Sequence, residues 1–253
     1  MAATGTKSSD WFLPDDNDKT WRAARVVRKI LETYEYRDEN GNLQFQVVRC
    51  DPKGFFQRRP GPGGFGWVYQ LGECWVKKTE DGQLATVDRE GCSPDGAERM
   101  AAARNVPYLL AGLRKNQDQP VMIVEGERKA DLLASLGFTA TCAAKGAGKW
   151  PVEFGGFLAG RDVVVLSDND AVGELHAAQV AGSCLLYGCK SIRMVKAGEG
   201  AFKVKEGGDI YDFCMGVGRQ EDGDALLRTN RRSAVIELVK SFPKMERASP
   251  VGG

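Results

Sequence analysis

Val121-Met-Ile-Val-Glu125 joins a short apolar run to a carboxylate, and Val163-Val-Val-Leu-Ser-Asp-Asn-Asp170 repeats that arrangement about forty residues further along the chain. Apolar runs of this length, rich in β-branched residues, are typical of strands buried on both faces of a parallel sheet. The carboxyl ends of parallel strands meet at one edge of the sheet, where ligands bind. We therefore expect Glu125, Asp168 and Asp170 to converge on one site.

This acidic cluster predicts a divalent metal site. Three carboxylates held together repel one another unless a cation neutralises them, and an all-oxygen ligand set suits Mg²⁺ or Mn²⁺. Asp168 and Asp170 stand two residues apart, so both side chains project to the same side of the strand end while Asn169 points away. Because Mg²⁺ accepts phosphate oxygens, we expect a phosphate compound as substrate. Taken singly, Glu125 could be a solvated strand end, and Asp-Asn-Asp could be a turn or a helix cap.

Strand and helix patterns alternate around these motifs. After residue 118 the predicted order is strand 121–124, helix 128–136, strand 139–143, a helical or turn segment at 152–158, strand 162–166, helix 173–187 and strand 191–195. Repeated βα order with apolar strands predicts an α/β fold whose parallel sheet is flanked by helices. A C-terminal helix is expected over 219–240 and a flexible tail over 241–253.

The amino-terminal half has a different pattern. Residues 1–18 offer little to bury and predict a flexible start, whereas residues 19–118 predict a small, basic α+β domain. Apolar residues at helical spacing predict a helix over 21–31, and Asn40-Gly41 is typical of a hairpin turn. The other predicted elements are a hairpin from 67–71 and 75–78 that returns through 84–87, and short helices over 97–104 and 107–113.

Cations and aromatic residues alternate with glycine and proline between Lys53 and Trp67. Residues 19–59 carry ten Lys or Arg against five Asp or Glu, a local excess of positive charge. Such a surface can hold a nucleic-acid backbone while aromatic rings stack on bases, and Arg58 and Arg59 are the candidate contacts. The alternative is a solvated turn whose aromatic residues fold inward.

The composition argues against several other classes of protein. A net charge of +1 and a pI near 7.5 give no global field that would attract a polyanion, so any nucleic-acid contact must be local. A zinc finger is disfavoured, because the chain has one histidine and seven cysteines without Cys-x-x-Cys spacing. Unpaired cysteines and the lack of an apolar run of about 20 residues predict a reduced, cytoplasmic protein that does not span a membrane.

Three segments together resemble the TOPRIM domain of bacterial-type DNA primases, topoisomerases and certain nucleases. They are Val124-Glu-Gly-Glu-Arg-Lys-Ala-Asp131, Lys145-Gly-Ala-Gly-Lys-Trp150 and Leu166-Ser-Asp-Asn-Asp170. The resemblance is greatest to phage and plasmid primase-like proteins, and it implies a Rossmann-like TOPRIM domain over 119–218. By this resemblance Glu125 is the acid/base residue, and Asp168 and Asp170 are ligands of Mg²⁺ or Mn²⁺. Asp209 resembles a further metal ligand, although it fits a helix N-cap equally well.

Basic residues accompany the acidic motifs. The segment Gly146-Ala-Gly-Lys149 is not a Walker A loop, because that motif needs different residues at positions 143 and 150. Lys145 and Lys149 are still candidates for binding a phosphate or a nucleic-acid strand, the alternative being a plain strand-to-helix connection. Lys129 is a third candidate, with solvated helix surface as its alternative. His176 is expected either on the surface of a helix or in packing, because no catalytic partner residues accompany it.

The resemblance implies a DNA-primase-like nucleotidyltransferase that binds single-stranded DNA and nucleoside triphosphates and forms phosphodiester bonds with Mg²⁺. A replicative helicase is a further implied partner. The same acids could instead cut phosphodiester bonds in a TOPRIM nuclease, or the chain could be a non-catalytic DNA-binding accessory protein of replication. The sequence has no zinc-binding pattern and no helicase portion, which argues against unaided sequence-specific priming.

Overall fold

A computed structural model describes residues 11–12, 28–80, 82–87, 96–218 and 224–246. The chain divides into two compact units, one of residues 1–36 and 42–105 and the other of residues 37–41 and 106–253. The polar segment near residue 118 therefore lies inside the second unit. Among the described residues, no helix is both long and apolar enough to cross a membrane.

The first unit is built from antiparallel sheets. Its strands are β1 (Trp11–Phe12), β2 (Arg28–Arg37), β3 (Leu43–Asp51), β4 (Gly54–Pro60), β5 (Trp67–Val68), β6 (Cys74–Lys78), β7 (Leu84–Val87) and β8 (Glu98–Met100). The first five form one sheet in sequence order, and the other three form a sheet in the order β7-β6-β8. Tyr36 and Phe45 stack in the core with ring centroids 4.4 Å apart, and Gly41 has a φ of 83° in the turn between their strands. The hairpin predicted around Asn40-Gly41 is confirmed.

Two helices predicted for this unit are wrong where the structure describes them. Residues 28–31 belong to β2, along which burial alternates with the period of a strand, and residues 21–27 lie outside the described part of the chain. β8 replaces the helix predicted over 97–104, because its residues pair with β6. In its described residues this unit contains no α-helix.

The second predicted hairpin is partly correct. β6 and β7 pair antiparallel, as predicted for the return of the chain through 84–87. β5 pairs with β4 and not with β6, so the pairing predicted between 67–71 and 75–78 is wrong.

The second unit is a parallel sheet flanked by helices, as predicted. Its elements are α1 (Leu110–Lys115), β9 (Val121–Ile123), α2 (Glu127–Ser135), β10 (Thr139–Thr141), a 3₁₀ helix (Val152–Leu158), β11 (Asp162–Ser167), α3 (Ala171–Leu186), β12 (Ser191–Lys196), α4 (Ile210–Met215), α5 (Asp224–Lys240) and β13 (Lys244–Glu246). The sheet order is β10-β9-β11-β12-β13, in which the first four strands are parallel. β13 adds an antiparallel edge strand, so the tail predicted to be flexible is ordered at residues 244–246.

Asp162 joins three strands at the edge opposite the acidic motifs. It accepts hydrogen bonds from the Ser191 hydroxyl and from Lys190 Nζ at 3.2 Å, and it pairs with Lys244 Nζ at 3.1 Å. Burial works against the charged form, but these hydrogen bonds outweigh it and lower the pKa of Asp162 to about 2. This carboxylate therefore helps to attach β12 and β13 to the buried β11.

Candidate active site

The carboxyl ends of β9 and β11 lie side by side. These strands are adjacent and parallel, with Val165 opposite Ile123. Glu125 follows β9 closely and Asp168 follows β11 directly, and Glu125 Oε1 and the Asp168 backbone both approach Gly173. The structure therefore brings together the acids from the two motifs that define the fold.

Gly173, in the first turn of α3, fits closely against this pair. A Cβ atom at position 173 would lie 2.8 Å from Glu125 Oε1 and 2.7 Å from the carbonyl oxygen of Asp168. Any larger side chain would push the start of the helix away from both acids. Glycine is required here by the close approach of the backbone, a role that the sequence analysis missed.

Glu125 has an unusual electrostatic environment. Its Oε1 atom is buried and has no hydrogen-bond partner among the described residues. Burial and the negative charge of Asp168 raise the pKa of Glu125 to about 7. Burial also raises the pKa of Asp168, although the charge of Lys129 opposes that change. A carboxyl group that titrates near neutral pH can accept or donate a proton during a reaction.

Lys129 supplies a positive charge inside the acidic cluster. Its Nζ atom lies 2.5 Å from Asp168 Oδ2 and 3.5 Å from Asp209 Oδ2. It donates to both carboxylate oxygens of Asp168, and its own side chain is only 12% exposed. The solvated helix surface that we weighed for Lys129 is therefore wrong, because the side chain turns inward between two predicted metal ligands.

Asp170 and Asp209 each begin a helix. Asp170 Oδ1 accepts a hydrogen bond of 2.7 Å from the backbone N–H of Gly173, which caps α3. Asp209 Oδ1 accepts from the backbone N–H of Tyr211 at 2.7 Å and forms a capping box with Asp212 at the start of α4. The capping function that the sequence allowed for Asp209 is present, and its Oδ2 atom faces Lys129.

Asn169 fastens the second acidic motif to the loop before Asp209. Its backbone N–H donates to the carbonyl oxygen of Gly208, its carbonyl oxygen accepts from Gly207, and both bonds measure 2.9 Å. Its side-chain amide donates to the carbonyl oxygens of Val204 and Lys205 at 3.1 and 3.0 Å. Asn169 does not simply point away from the site, as we expected, but holds the segment before Asp209 beside Asp168.

The donor types fit a hard divalent cation, but Lys129 already supplies the positive charge. Carboxylate oxygens are the ligands that Mg²⁺ prefers, and the buried, unpaired Glu125 Oε1 is a further oxygen ligand at the cluster. Within the described ranges, however, no three Asp, Glu, His or Cys side chains are arranged to hold one ion together. The chemistry of the cluster therefore matches the predicted metal site, whereas its charges are balanced by a lysine.

The loop after β10 presents its lysines to solvent. Lys145 and Lys149 are exposed, and Lys145 has a left-handed backbone with φ of 78°. The backbone N–H of Gly148 donates to Nδ1 of His176 at 3.1 Å. His176 is buried on α3, and burial followed by the charge of Lys129 lowers its pKa to about 4. The histidine is therefore neutral and anchors the loop, which agrees with the predicted packing role.

The two candidate arginines of the first unit differ sharply. Arg59 is 4% exposed and donates to the carbonyl oxygens of Ala101 and Gly72 and to Cys74 Sγ. It is committed to joining strands, so its prediction as a nucleic-acid contact is wrong. Arg58 is half-buried. Its Nε atom donates a hydrogen bond of 2.8 Å to Gln46 Oε1 on β3, and its guanidinium lies 4.1 Å from the centre of the Trp67 ring.

Further aromatic groups lie at the surface of this unit. Phe55, Phe65 and Tyr69 are between 47 and 56% exposed, and Lys78 Nζ lies 4.9 Å from the centre of the Phe65 ring. The alternative in which the aromatic residues between Lys53 and Trp67 fold inward therefore fails for Phe55 and Phe65. Exposed rings with neighbouring cations can stack on bases and contact phosphates.

Comparison with solved structures finds similar structures at low sequence identity. The chain resembles DNA primase catalytic cores. It matches the zinc-binding and RNA polymerase domains of the Aquifex aeolicus primase with 13% identity and a TM-score of 0.48, over 94% of this chain and 45% of that one. It matches a DNA primase domain from Pseudomonas aeruginosa with 15% identity and a TM-score of 0.48, over 92% of this chain and 57% of that one.

A third match is a DnaG primase catalytic domain bound to single-stranded DNA. The identity is 14% and the TM-score 0.44, with 94% of this chain and 59% of that chain covered. This chain thus spans about half the length of these three solved structures. No protein-family model matches it, and no curated protein sequence matches it either.

Proposed function

We propose that this protein is a DNA-primase-like nucleotidyltransferase whose TOPRIM carboxylates work with Mg²⁺ or Mn²⁺. The observation that carries the proposal is the convergence of Glu125 and Asp168 at the carboxyl edge of a parallel sheet. Two neighbouring carboxyl groups repel each other when both are charged, which is a costly arrangement for a purely structural site. The motif resemblance supplies the reaction class.

Glu125 is the proposed acid/base residue. In chain extension, the 3′-hydroxyl oxygen bonds to the α-phosphorus of a nucleoside triphosphate, the bond to pyrophosphate breaks, and the Glu125 carboxylate accepts the hydroxyl proton. Its pKa, raised to about 7 by burial and by Asp168, suits transfer in either direction at neutral pH. Asp168, Asp170 and Asp209 would hold the divalent ion, which would stabilise negative charge on the phosphate oxygens.

Two exposed lysines and the half-buried Arg58 provide the proposed binding contacts. Lys145 and Lys149, on the loop anchored by His176, would contact phosphates of the nucleoside triphosphate or template. Arg58, held against Trp67, would contact the backbone of single-stranded DNA while exposed rings stack on bases. A replicative helicase is a further proposed partner.

Nucleotide incorporation tests the proposed function. The full chain is incubated with single-stranded DNA, labelled ribonucleoside triphosphates and Mg²⁺, beside Asp168→Asn and the control Asp162→Asn at the opposite edge of the sheet. The proposal expects short labelled oligonucleotides from the wild type and from Asp162→Asn, and none from Asp168→Asn. Shortening of the DNA without incorporation would favour the nuclease instead.

A non-catalytic DNA-binding accessory is the second candidate. The observation that favours it is the contact of Lys129 with both oxygens of Asp168, because a lysine can neutralise the cluster without any metal. DNA binding with neither incorporation nor cleavage, unaffected by Asp168→Asn, would support this candidate against the enzyme.

A further inference from the structure

Lys129 places its positive charge between the carboxylates of Asp168 and Asp209. Its ammonium group contacts both oxygens of one carboxylate and lies 3.5 Å from the second. The side chains of Lys129, Asp168 and Asp209 are 12, 18 and 23% exposed, so solvent screens these contacts less than a surface ion pair. A hard divalent ion would need the same oxygens.

The carboxylates are held in place by contacts that do not involve Lys129. Asn169 bonds the strand end that carries Asp168 to Gly207 and Gly208, directly before Asp209. Arg128, the neighbour of Lys129 on α2, donates to the Tyr211 hydroxyl at 2.7 Å and lies 4.1 Å from the centre of its ring. The start of α4 is thereby attached to α2 through a second cation.

We propose that Lys129 is an internal counter-ion that competes with a divalent metal ion for Asp168 and Asp209, so that metal binding requires Lys129 to leave these carboxylates. This inference rests on the metal site of the proposed function. The exchange is possible because the ammonium is carried on a flexible four-carbon chain, whereas backbone bonds and a cation–aromatic contact hold the carboxylates. Wild-type metal affinity is consequently weaker than the carboxylates alone would give.

Removing the positive charge should therefore strengthen metal binding. Without Lys129, the negative charges of Glu125, Asp168 and Asp209 are left uncompensated, and a divalent ion relieves their mutual repulsion. We expect Lys129→Met, which keeps the length of the side chain, to bind Mn²⁺ at least about tenfold more tightly than the wild type.

Mn²⁺ titration followed by electron paramagnetic resonance measures this directly. The full chain is compared with Lys129→Met, with Lys129→Arg, which keeps the charge, and with Lys190→Met, which removes an exposed lysine paired with Asp162. Tighter binding in Lys129→Met alone, lost again when Asp168→Asn is added, is the expected result. Equal or weaker binding in Lys129→Met, or no bound Mn²⁺ in either protein, overturns the inference.

Two features keep this test independent of folding and of activity. Circular dichroism verifies the fold, and Lys129→Gln, which can still donate a hydrogen bond to Asp168, replaces the Met variant if that variant does not fold. The titration contains no DNA or nucleotide, so it does not depend on catalysis. If the wild type incorporates nucleotides but Lys129→Met does not bind Mn²⁺ more tightly, only the counter-ion inference is rejected. If Lys129→Met binds Mn²⁺ more tightly but the wild type incorporates no nucleotides, only the proposed transferase activity is rejected.

Discussion

Glu125 and Lys129 lie four residues apart in the sequence and bring side chains of opposite charge to the acidic cluster. The folded protein holds the Glu125 proton more tightly than the unfolded chain, because burial and Asp168 raise its pKa from 4.5 to about 7. The stability contributed by this proton is complete below pH 4.5 and is lost as the pH rises through 7. The charge of the buried Lys129 opposes the rise in the pKa of Glu125, so it lessens this loss of stability but does not abolish it.

Glu125→Gln should therefore raise stability at high pH and leave it unchanged at low pH. Above pH 7, without metal, we expect the free energy of unfolding to rise by about 1–2 kcal/mol, less than the full pKa change gives because Glu125 is partly solvated. Urea unfolding in EDTA from pH 4.5 to 8.5 measures the difference, with the exposed Glu174→Gln as control. A variant whose stability follows that of the wild type across this range would contradict the shared environment of Glu125 and Asp168.

Arg58 and Arg59 should respond differently to substitution. Arg59→Ala removes buried hydrogen bonds to Gly72 and Ala101 and should lower the free energy of unfolding by about 2–4 kcal/mol. Arg58→Ala removes one hydrogen bond, to Gln46, and should lower it by only about 1 kcal/mol, but it should weaken binding of single-stranded DNA, which fluorescence anisotropy with a labelled oligonucleotide measures. Unchanged DNA affinity in Arg58→Ala would remove this face from the proposed binding surface.

The sequence predicted that Glu125 and Asp168 lie close together, but it did not predict that Lys129 neutralises Asp168. Glu125 and Asp168 follow apolar strands, and adjacent parallel strands bring such residues together. The contact of Lys129 with Asp168 depends on a side-chain conformation, for which residue spacing gives no signal. Arg58 and Arg59 could have been separated, because neighbouring residues of a strand point to opposite faces.

Helix α3 contains two glycines, of which one has no room for a side chain and the other has ample room. A Cβ at Gly173 would meet backbone atoms of Asp168, whereas a Cβ at Gly182 would have nothing within 4 Å. The first glycine is needed for the contact between α3 and the acidic motifs, and the second only lowers helix propensity.

The same substitution should therefore have opposite effects at the two positions. Gly182→Ala should raise the free energy of unfolding by about 0.5–1 kcal/mol, since alanine favours a helix. Gly173→Ala should lower it by about 1–3 kcal/mol, because α3 must shift away from Asp168. Thermal unfolding of both variants measures this, and a stabilised Gly173→Ala would contradict the close approach.

The sheet edge around Asp162 makes a separate prediction. Its pKa is lowered to about 2 by hydrogen bonds that outweigh burial, so its stabilising effect is present above pH 3.8 and lost as the pH falls through 2. We expect Asp162→Asn to cost about 1–2 kcal/mol at pH 7 and much less at pH 2. Urea unfolding at the two pH values measures it, and an equal cost at both would show that charge is not the cause.

Elements with long apolar runs were predicted well, and elements whose partners lie far along the chain were not. β9 and β11 are buried apolar runs with no competing pattern. Residues 97–104 lack such a run, and their conformation is decided by the pairing of β8 with β6. Trp67 begins a strand that joins β4, a choice that local spacing does not contain.

For the whole molecule, βα alternation predicted the parallel sheet, whereas the composition of the chain did not locate the division into two units. That division falls between Asn105 and Val106, ahead of the polar segment that looked like a boundary. Helix α1 belongs with the second unit because it contacts β10. The polar segment near residue 118 is therefore a turn within the second unit and not a boundary between the units.

We propose that Asp168, Asp170 and Asp209 hold a divalent ion beside Glu125, and that the Lys129 ammonium lies between Asp168 and Asp209 when the ion is absent. A crystal structure of the protein grown with Mn²⁺, measured at a wavelength where manganese scatters anomalously, tests it most directly. We predict an anomalous peak about 2.1 Å from a carboxylate oxygen of Asp168, with Lys129 Nζ displaced from that carboxylate. Lys129 still bound to Asp168, with no peak at the acidic cluster, would contradict the account.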